Sequence, residues 1–333
     1  MLRLLCASLL MTIATAALAE DPARELRAGI IGLDTSHCIA FAKLLNDAKV
    51  APELANCRVV AAYPKGSPDI ESSVSRVPGY TAEMKKLQVE IVDSIEELVK
   101  RVDVVFLETN DGRPHLEQLL PVLKGKKPCF IDKPVAGTLT DAVAIYRAAE
   151  KAGVPIFSAS GLRFGKLTQE ARAGSLGKVK TCETISPASK EKTHPELFWY
   201  GIHGVESLFT VMGTGCVSVR HEVVDGKIRV TGVWEGGRTG IFQEGSGYSG
   251  KASGDKGEGE VGKFDGYRPL LVEIVKFFRS GKPPVSSQET IELYAFMEAA
   301  DESRRQGGKE VTLASVLKEA EAAATARLKE LER

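Results

Sequence analysis

The sequence predicts an α/β protein with an N-terminal Rossmann-like, doubly wound parallel sheet and a C-terminal α+β domain built on an open, mostly antiparallel sheet. Three observations lead there. Short strands, apolar on both faces, alternate with helices over the first 160 residues. A glycine-bearing strand-to-helix turn, Gly29-Ile30-Ile31-Gly32-Leu33-Asp34-Thr35-Ser36-His37, opens that series. Beyond it, strands alternate polar and apolar residues and are joined by turns such as Asp225-Gly226. Strands buried on both faces need helices on both sides and run parallel, whereas alternating strands fit a sheet with one wet face.

Residues 26–33 form the first apolar strand, and 39–45 carry apolar residues at helical spacing behind the capping residues Asp34, Thr35 and Ser36. Strands follow at 58–63, 89–92, 102–107, 128–131 and 154–157. Helices are expected from Asp93 onward, over 113–123, and over 140–152 with Gly153 as the stop. In the second half, 179–185, 217–224, 228–234 and 238–243 read as half-exposed strands. The glycine-rich stretch 244–262 reads as a flexible hairpin region, because no strand–glycine–helix context makes it a phosphate loop. Residues 268–278, 288–305 and 313–331 read as helices, the last heavily charged.

The domain boundaries expected are 26–160 for a dinucleotide-binding, Rossmann-like domain and 161–333 for the α+β domain. Residues 1–19 read as a secretory signal peptide: a basic start at Arg3, an apolar run, and the small-residue cleavage site Ala17-Leu18-Ala19. The run is short for a membrane span and Asp21-Pro22 follows directly, so export without stable membrane insertion after cleavage is expected, to a periplasmic or extracytoplasmic location. Lys plus Arg and Asp plus Glu both number 44, which argues against a nucleic-acid partner. The mature chain keeps Cys38, Cys57, Cys129, Cys182 and Cys216, an odd count without regular spacing, so buried thiols are expected rather than a disulfide framework. No Cys or His spacing suggests a structural metal.

In a doubly wound sheet the site lies at the carboxyl ends of the strands. The segments 32–37, 63–67, 109–115 and 132–134 all fall there. Among them Ile131-Asp132-Lys133-Pro134 places a lysine just past a strand end, a natural way to aim an ammonium into a cleft. The glycine turn keeps Gly32 but has Asp34 and His37 where a dinucleotide fingerprint has its second and third glycines. A carboxylate at a helix start uses the N–H groups that would cradle a phosphate, unless it is an N-cap turned aside. The second strand ends Tyr63-Pro64-Lys65-Gly66-Ser67, without the acid that holds ribose hydroxyls; Lys65 and Ser67 suit a 2′-phosphate, so NADP is preferred to NAD.

Together these residues resemble the glucose–fructose oxidoreductase and inositol dehydrogenase family (Gfo/Idh/MocA), from about Arg27 to Leu313. Asp132-Lys133-Pro134 stands at the family's Glu-Lys-Pro motif, Thr109-Asn110 and His115 match its segment after the fourth strand, and Gly201-Ile202-His203 with Glu206 matches its histidine-bearing helix. The resemblance implies NAD- or NADP-linked oxidation or reduction of a sugar, cyclitol or related polyol. It implies Lys133 at the nicotinamide ribose and substrate hydroxyl, His203 as acid/base, and Glu206 orienting the imidazole. Gly32, Asp34, Thr35, Ser36, His37, Lys65, Ser67, Thr109, Asn110, His115, Asp132 and Lys133 are the cofactor-binding candidates. Lys133, Arg163, His194, Trp199, Tyr200 and His203 are the substrate-binding candidates, with Phe198-Trp199-Tyr200 a packed wall able to face a sugar ring. His115 is expected to cap or pack at its helix start, and His221 to be a solvated strand residue.

Trp199 stands where the family has an aspartate four residues before the histidine, so substrate or chemistry can differ. Free nicotinamide dinucleotide is expected to be scarce outside the cytoplasm. The alternative is therefore a non-redox carbohydrate-binding or lyase-like protein on the same fold with an altered cofactor site. Relatives often assemble through the open sheet, and Arg220, Arg229 and Arg238 on its strands would allow a homo-oligomer.

Overall fold

The computed structural model describes residues 24–331, so the signal segment expected at 1–19 lies outside the described residues. The first sheet has six strands: β1 (Leu26–Ile31), β2 (Cys57–Tyr63), β3 (Glu90–Ile91), β4 (Val104–Leu107), β5 (Cys129–Ile131) and β6 (Ile156–Ser158). Their order is β3-β2-β1-β4-β5-β6, and every pairing is parallel. The order reverses between β1 and β4, which opens a crevice at their carboxyl ends.

The connecting helices are α1 (Ser36–Leu45), α2 (Glu71–Lys86), α3 (Ile95–Arg101), α4 (His115–Lys124) and α5 (Leu139–Ala152). Ser94 caps α3 by accepting the Glu97 N–H, Thr138 caps α5 by accepting that of Asp141, and Gly153 ends α5 in the left-handed region. Helix α2 was not expected from the sequence. Its surface is polar, only Ser73 and Met84 are buried, and Pro78 lies inside it.

The second half contains α6 (Lys166–Arg172), α7 (Ile202–Met212), α8 (Arg268–Ser280), α9 (Ser287–Arg305) and α10 (Leu313–Leu331). Its strands are β7 (Val179–Ser186), β8 (Cys216–Val224), β9 (Lys227–Trp234), β10 (Arg238–Glu244), β11 (Ser249–Gly254), β12 (Gly257–Glu260) and β13 (Val311–Thr312). They form one sheet, β12-β11-β7-β10-β9-β8-β13, antiparallel except where β10 pairs with β7. The stretch expected to be a flexible hairpin is a paired one, since β11 and β12 extend the sheet beyond β7. His221 also departs from expectation: it is buried, with Nε2 2.8 Å from Glu196 Oε2.

The two halves share their cores. Helix α8, though late in the sequence, covers one face of the parallel sheet beside α1: Phe278 meets Phe106 edge-on at 5.0 Å and Phe277 meets Phe157 at 4.9 Å. Tyr294 of α9 is buried against Phe198, and its hydroxyl accepts the backbone N–H of Val135 at 2.5 Å, two residues past Lys133. All five cysteines among the described residues are buried and free. No helix among the described residues is long and apolar enough to cross a membrane.

Candidate active site

Helix α1, the strand ends and the second half enclose a cavity of about 440 Å³. Thr35, Ser36 and His37 from the start of α1, Asn110 and Lys133 from the strand ends, and Arg76 from α2 line one side. Ser160, Trp199, Tyr200, His203, Tyr248, Phe264 and Tyr267 line the other. Gly32 makes the entry turn possible: its φ is +89°, and a Cβ there would lie 2.5 Å from the Thr109 backbone nitrogen.

Lys133 is only 5% exposed and follows β5, with a cis bond to Pro134. His203 sits in the first turn of α7. Its Nδ1 lies 2.7 Å from the Ser160 hydroxyl, which leaves Nε2 as the ring nitrogen for a substrate. Burial, with Lys133 and His37 adding to it, holds the His203 pKa well below the ordinary 6.5, so the imidazole is neutral and able to take a proton. Tyr200 packs edge-on to His203 at 5.0 Å and accepts a hydrogen bond from the Tyr248 hydroxyl at 3.1 Å. With Trp199, Phe264 and Tyr267 these rings give the cavity an apolar wall of the kind on which sugar rings stack.

Glu206 does not reach His203. It accepts from Arg163 Nε, and Arg163 Nη1 donates to Glu289 Oε1 at 2.5 Å. Arg172 completes the network through both Glu289 oxygens, at 2.8 and 2.9 Å. Arg163 is 2% exposed and ties α7 to α9 from the short 3-10 helix Gly161–Phe164, so it and Glu206 lie behind the wall. The group that holds His203 is Ser160, whose only mark in the sequence is its place just after the sixth strand.

Asp34 is wholly buried and turned away from the cavity. Its Oδ2 accepts from the Ser73 hydroxyl at 2.7 Å and its Oδ1 from the Asn110 N–H at 2.9 Å. Burial raises its pKa, and these hydrogen bonds only partly offset that. Thr35 is the N-cap residue of α1 but makes no side-chain cap bond, so the first N–H groups of that helix are not consumed by a carboxylate.

The remaining candidates divide plainly. Lys65 is exposed beyond β2. Ser67 donates its hydroxyl to Asp111 Oδ2 at 2.5 Å, and Arg113 and the buried His194 close around the same carboxylate. Despite burial, His194, Arg113 and Ser67 hold Asp111 far below the usual carboxylate range. Thr109 donates to Gln118, and His115 is locked between the carbonyls of Thr109 and Val135, so both are internal. Asp132 is fully buried beneath Lys133, with His37 Nδ1 2.8 Å from one of its oxygens.

Residues 26–160 match the family described as oxidoreductases with an NAD-binding Rossmann fold. The first half of the chain matches that family's model. The Gfo/Idh/MocA match thus covers the sheet, the glycine turn and the Lys133 segment. A 2,7-anhydro-N-acetylneuraminate hydratase of Escherichia coli (strain K12) is 31% identical over 106 residues, a match spanning 30% of this chain and 28% of that protein. Among solved structures, a probable dehydrogenase from Thermotoga maritima superposes with a TM-score of 0.70 at 20% identity, over 87% of this chain and 100% of that one. A myo-inositol dehydrogenase from Lactobacillus casei in complex with NAD(H) and myo-inositol gives 0.68 at 16%, over 86% and 96%. An aldose-aldose oxidoreductase from Caulobacter crescentus complexed with glycerol gives 0.70 at 17%, over 87% and 100%. At these identities the shared property is the fold.

A nicotinamide dinucleotide fits part of this site well. The uncapped start of α1, with Arg76 and Lys133 on the same cavity, is the cationic, N–H-rich surface that phosphates require. The end of β2 offers no carboxylate for ribose hydroxyls, and its hydroxyl at Ser67 is already used.

Proposed function

We propose that the chain is an NAD(P)-linked oxidoreductase acting on a secondary hydroxyl of a sugar, cyclitol or related polyol. One observation carries the reading: Lys133 and a neutral, Ser160-held His203 share one aromatic-walled cavity with the uncapped start of α1. When bound, the dinucleotide supplies the hydride acceptor. His203 Nε2 takes the hydroxyl proton, the Lys133 ammonium steadies the alkoxide charge as it develops, and the tyrosine and tryptophan rings hold the sugar. NADP is the preferred cofactor, because exposed Lys65 and the missing acid after β2 favour a 2′-phosphate.

Isothermal titration of the mature chain with NAD, NADH, NADP and NADPH tests this directly. Saturable binding of one of them supports the reading; no binding at millimolar concentration sinks it. We place the protein outside the cytoplasm, after removal of 1–19. N-terminal sequencing of the exported chain would check that. We also propose a homo-oligomer formed through the outer face of the second sheet, where Val217 and Val233 are exposed, and light scattering reads it.

A second reading is a net non-redox change of a sugar. It is favoured by the likeness of part of the chain to a hydratase. Its mark is sugar turnover, or a sugar-induced thermal shift, with no net change in dinucleotide absorbance.

A further inference from the structure

Beneath the cavity wall lies a cluster that the proposed hydride chemistry does not use. Glu108 follows β4, Asp132 follows β5, and His37 lies in the first turn of α1, which follows β1. Since β1, β4 and β5 are neighbours in the sheet, their carboxyl ends bring the three side chains together. One ligand atom from each lies within 4.8 Å of the others. Glu108 and Asp132 are completely buried and His37 is 6% exposed.

The cluster is unusual in what it lacks. Neither Glu108 oxygen has a hydrogen-bond partner, and Asp132 has only the approaches of the His37 ring and the Lys133 backbone N–H. His37 Nδ1 lies 2.8 Å from Asp132 Oδ2, which leaves the buried Glu108 carboxyl facing the pair without a donor. Buried carboxyl groups are normally satisfied by N–H or O–H donors, and leaving one unpaired costs several kcal/mol (~1–3 for a neutral group, more when charged). Lys133 acts on both acids electrostatically, yet no ion pair within 4 Å joins it to either among the described residues. Tyr267 packs edge-on to the His37 ring, with 4.7 Å between centroids, and fixes its plane.

We propose that His37, Glu108 and Asp132 bind one divalent transition-metal cation of the Zn²⁺ or Mn²⁺ class. Two carboxylates and a neutral imidazole balance a charge of +2, which neutralises the buried pair and gives the orphaned oxygens their partner. A nitrogen donor with two oxygens favours first-row transition ions over Mg²⁺ or Ca²⁺, which prefer all-oxygen shells. Three protein ligands leave a position for water or a substrate oxygen. His37 is also part of the cavity wall, so the cation would adjoin the pocket beside Lys133 and add a Lewis acid to it. The opposing explanation is a proton: burial, with Asp132 adding to it, raises the Glu108 pKa far above the ordinary value.

The test uses the mature full chain, stripped with a chelator and free of dinucleotide, so its outcome is independent of cofactor binding. Zn²⁺, Mn²⁺ and Co²⁺ are titrated separately by calorimetry, and Co²⁺ also by its visible spectrum. The expected result is one saturable equivalent of Zn²⁺ or Mn²⁺, a rise in thermal midpoint with metal, and a cobalt spectrum without a thiolate charge-transfer band. Glu108→Gln should keep the fold, lose the metal-dependent thermal shift, and weaken binding by about 100-fold or more, the upper range seen when even an outer partner of a metal site is lost. Absence of one-to-one binding, binding unchanged in Glu108→Gln, or a thiolate band marking a cysteine site would each overturn the proposal. The first of these outcomes leaves the proton as what neutralises the pair.

Discussion

Replacing Glu206 with Gln separates two roles for this residue, a strut behind the site or a group that orients His203. The structure assigns it to Arg163, in a buried network whose charges cancel: Arg163 and Arg172 against Glu206 and Glu289. Arg163 is 2% exposed at its side chain and Glu206 6%, so solvent screens the pair little. Removing one partner of such a pair costs about 3–5 kcal/mol, because the other charge stays buried without compensation. Here Glu289 remains near Arg163 but is shared with Arg172, so the lower end, about 3 kcal/mol, applies. At an m value of about 3 kcal/mol per molar urea this moves the unfolding midpoint by about 1 M. Arg163→Met should cost a similar amount. The double variant should fall short of the sum of the two by about 3 kcal/mol, since neither charge is then stranded. Over the same series the His203 imidazole, followed by NMR, should titrate unchanged. A Glu206→Gln loss under about 1 kcal/mol, additivity within about 0.5 kcal/mol, or a displaced His203 titration would refute the strut.

Ser160→Ala removes the hydroxyl that holds His203 Nδ1 and should lower kcat about tenfold with little change in KM, read in steady-state assays once a substrate is found. Asp34→Gly strands the Ser73 hydroxyl and the Asn110 N–H, costing about 1–3 kcal/mol each; because Asp34 faces away from the cavity, dinucleotide affinity measured by calorimetry should not tighten. His203→Asn isolates the linkage of one buried imidazole. Its folded pKa lies below the unfolded 6.5, so below pH 6.5 the unfolded chain binds the extra proton and the wild type loses stability relative to the variant. The difference should grow by at most about 1.4 kcal/mol per pH unit as pH falls from 6.5 toward the folded pKa, and stay flat above 6.5 in denaturant titrations.

The parallel sheet was legible because its strands are apolar on both faces, a pattern that only a covered sheet explains. Helix α2 was not, because its polar surface and Pro78 carry no buried stripe to read. The second sheet could be read strand by strand, but not the parallel pairing of β7 with β10, which depends on contacts far apart in sequence. At the site, Lys133 was found from a local signal, a lysine after a strand and before a proline. The partner of His203 was not. Helical spacing puts Glu206 on the same face as His203, but it cannot reveal that Arg163 waits opposite and takes the carboxylate. Likewise Asp34 in sequence is only an obstacle to phosphate, whereas Ser73 and Asn110, from other elements, turn it inward. Glu108, just past an apolar strand, carries no local signal, since His37 and Asp132 join it only through the order of three strands.

The bond from the Val135 N–H to the Tyr294 hydroxyl bears on how this protein could be rebuilt. A helix of the second half holds the segment just past Lys133, while α8 covers a face of the first-half sheet. A chimera that grafts a foreign second half after residue 160 would therefore take away α8 and Tyr294 together, baring the sheet and releasing the lysine segment. The shape of the cavity is better changed by editing its aromatic wall in place, at Trp199, Tyr200 or Tyr248, than by exchanging modules.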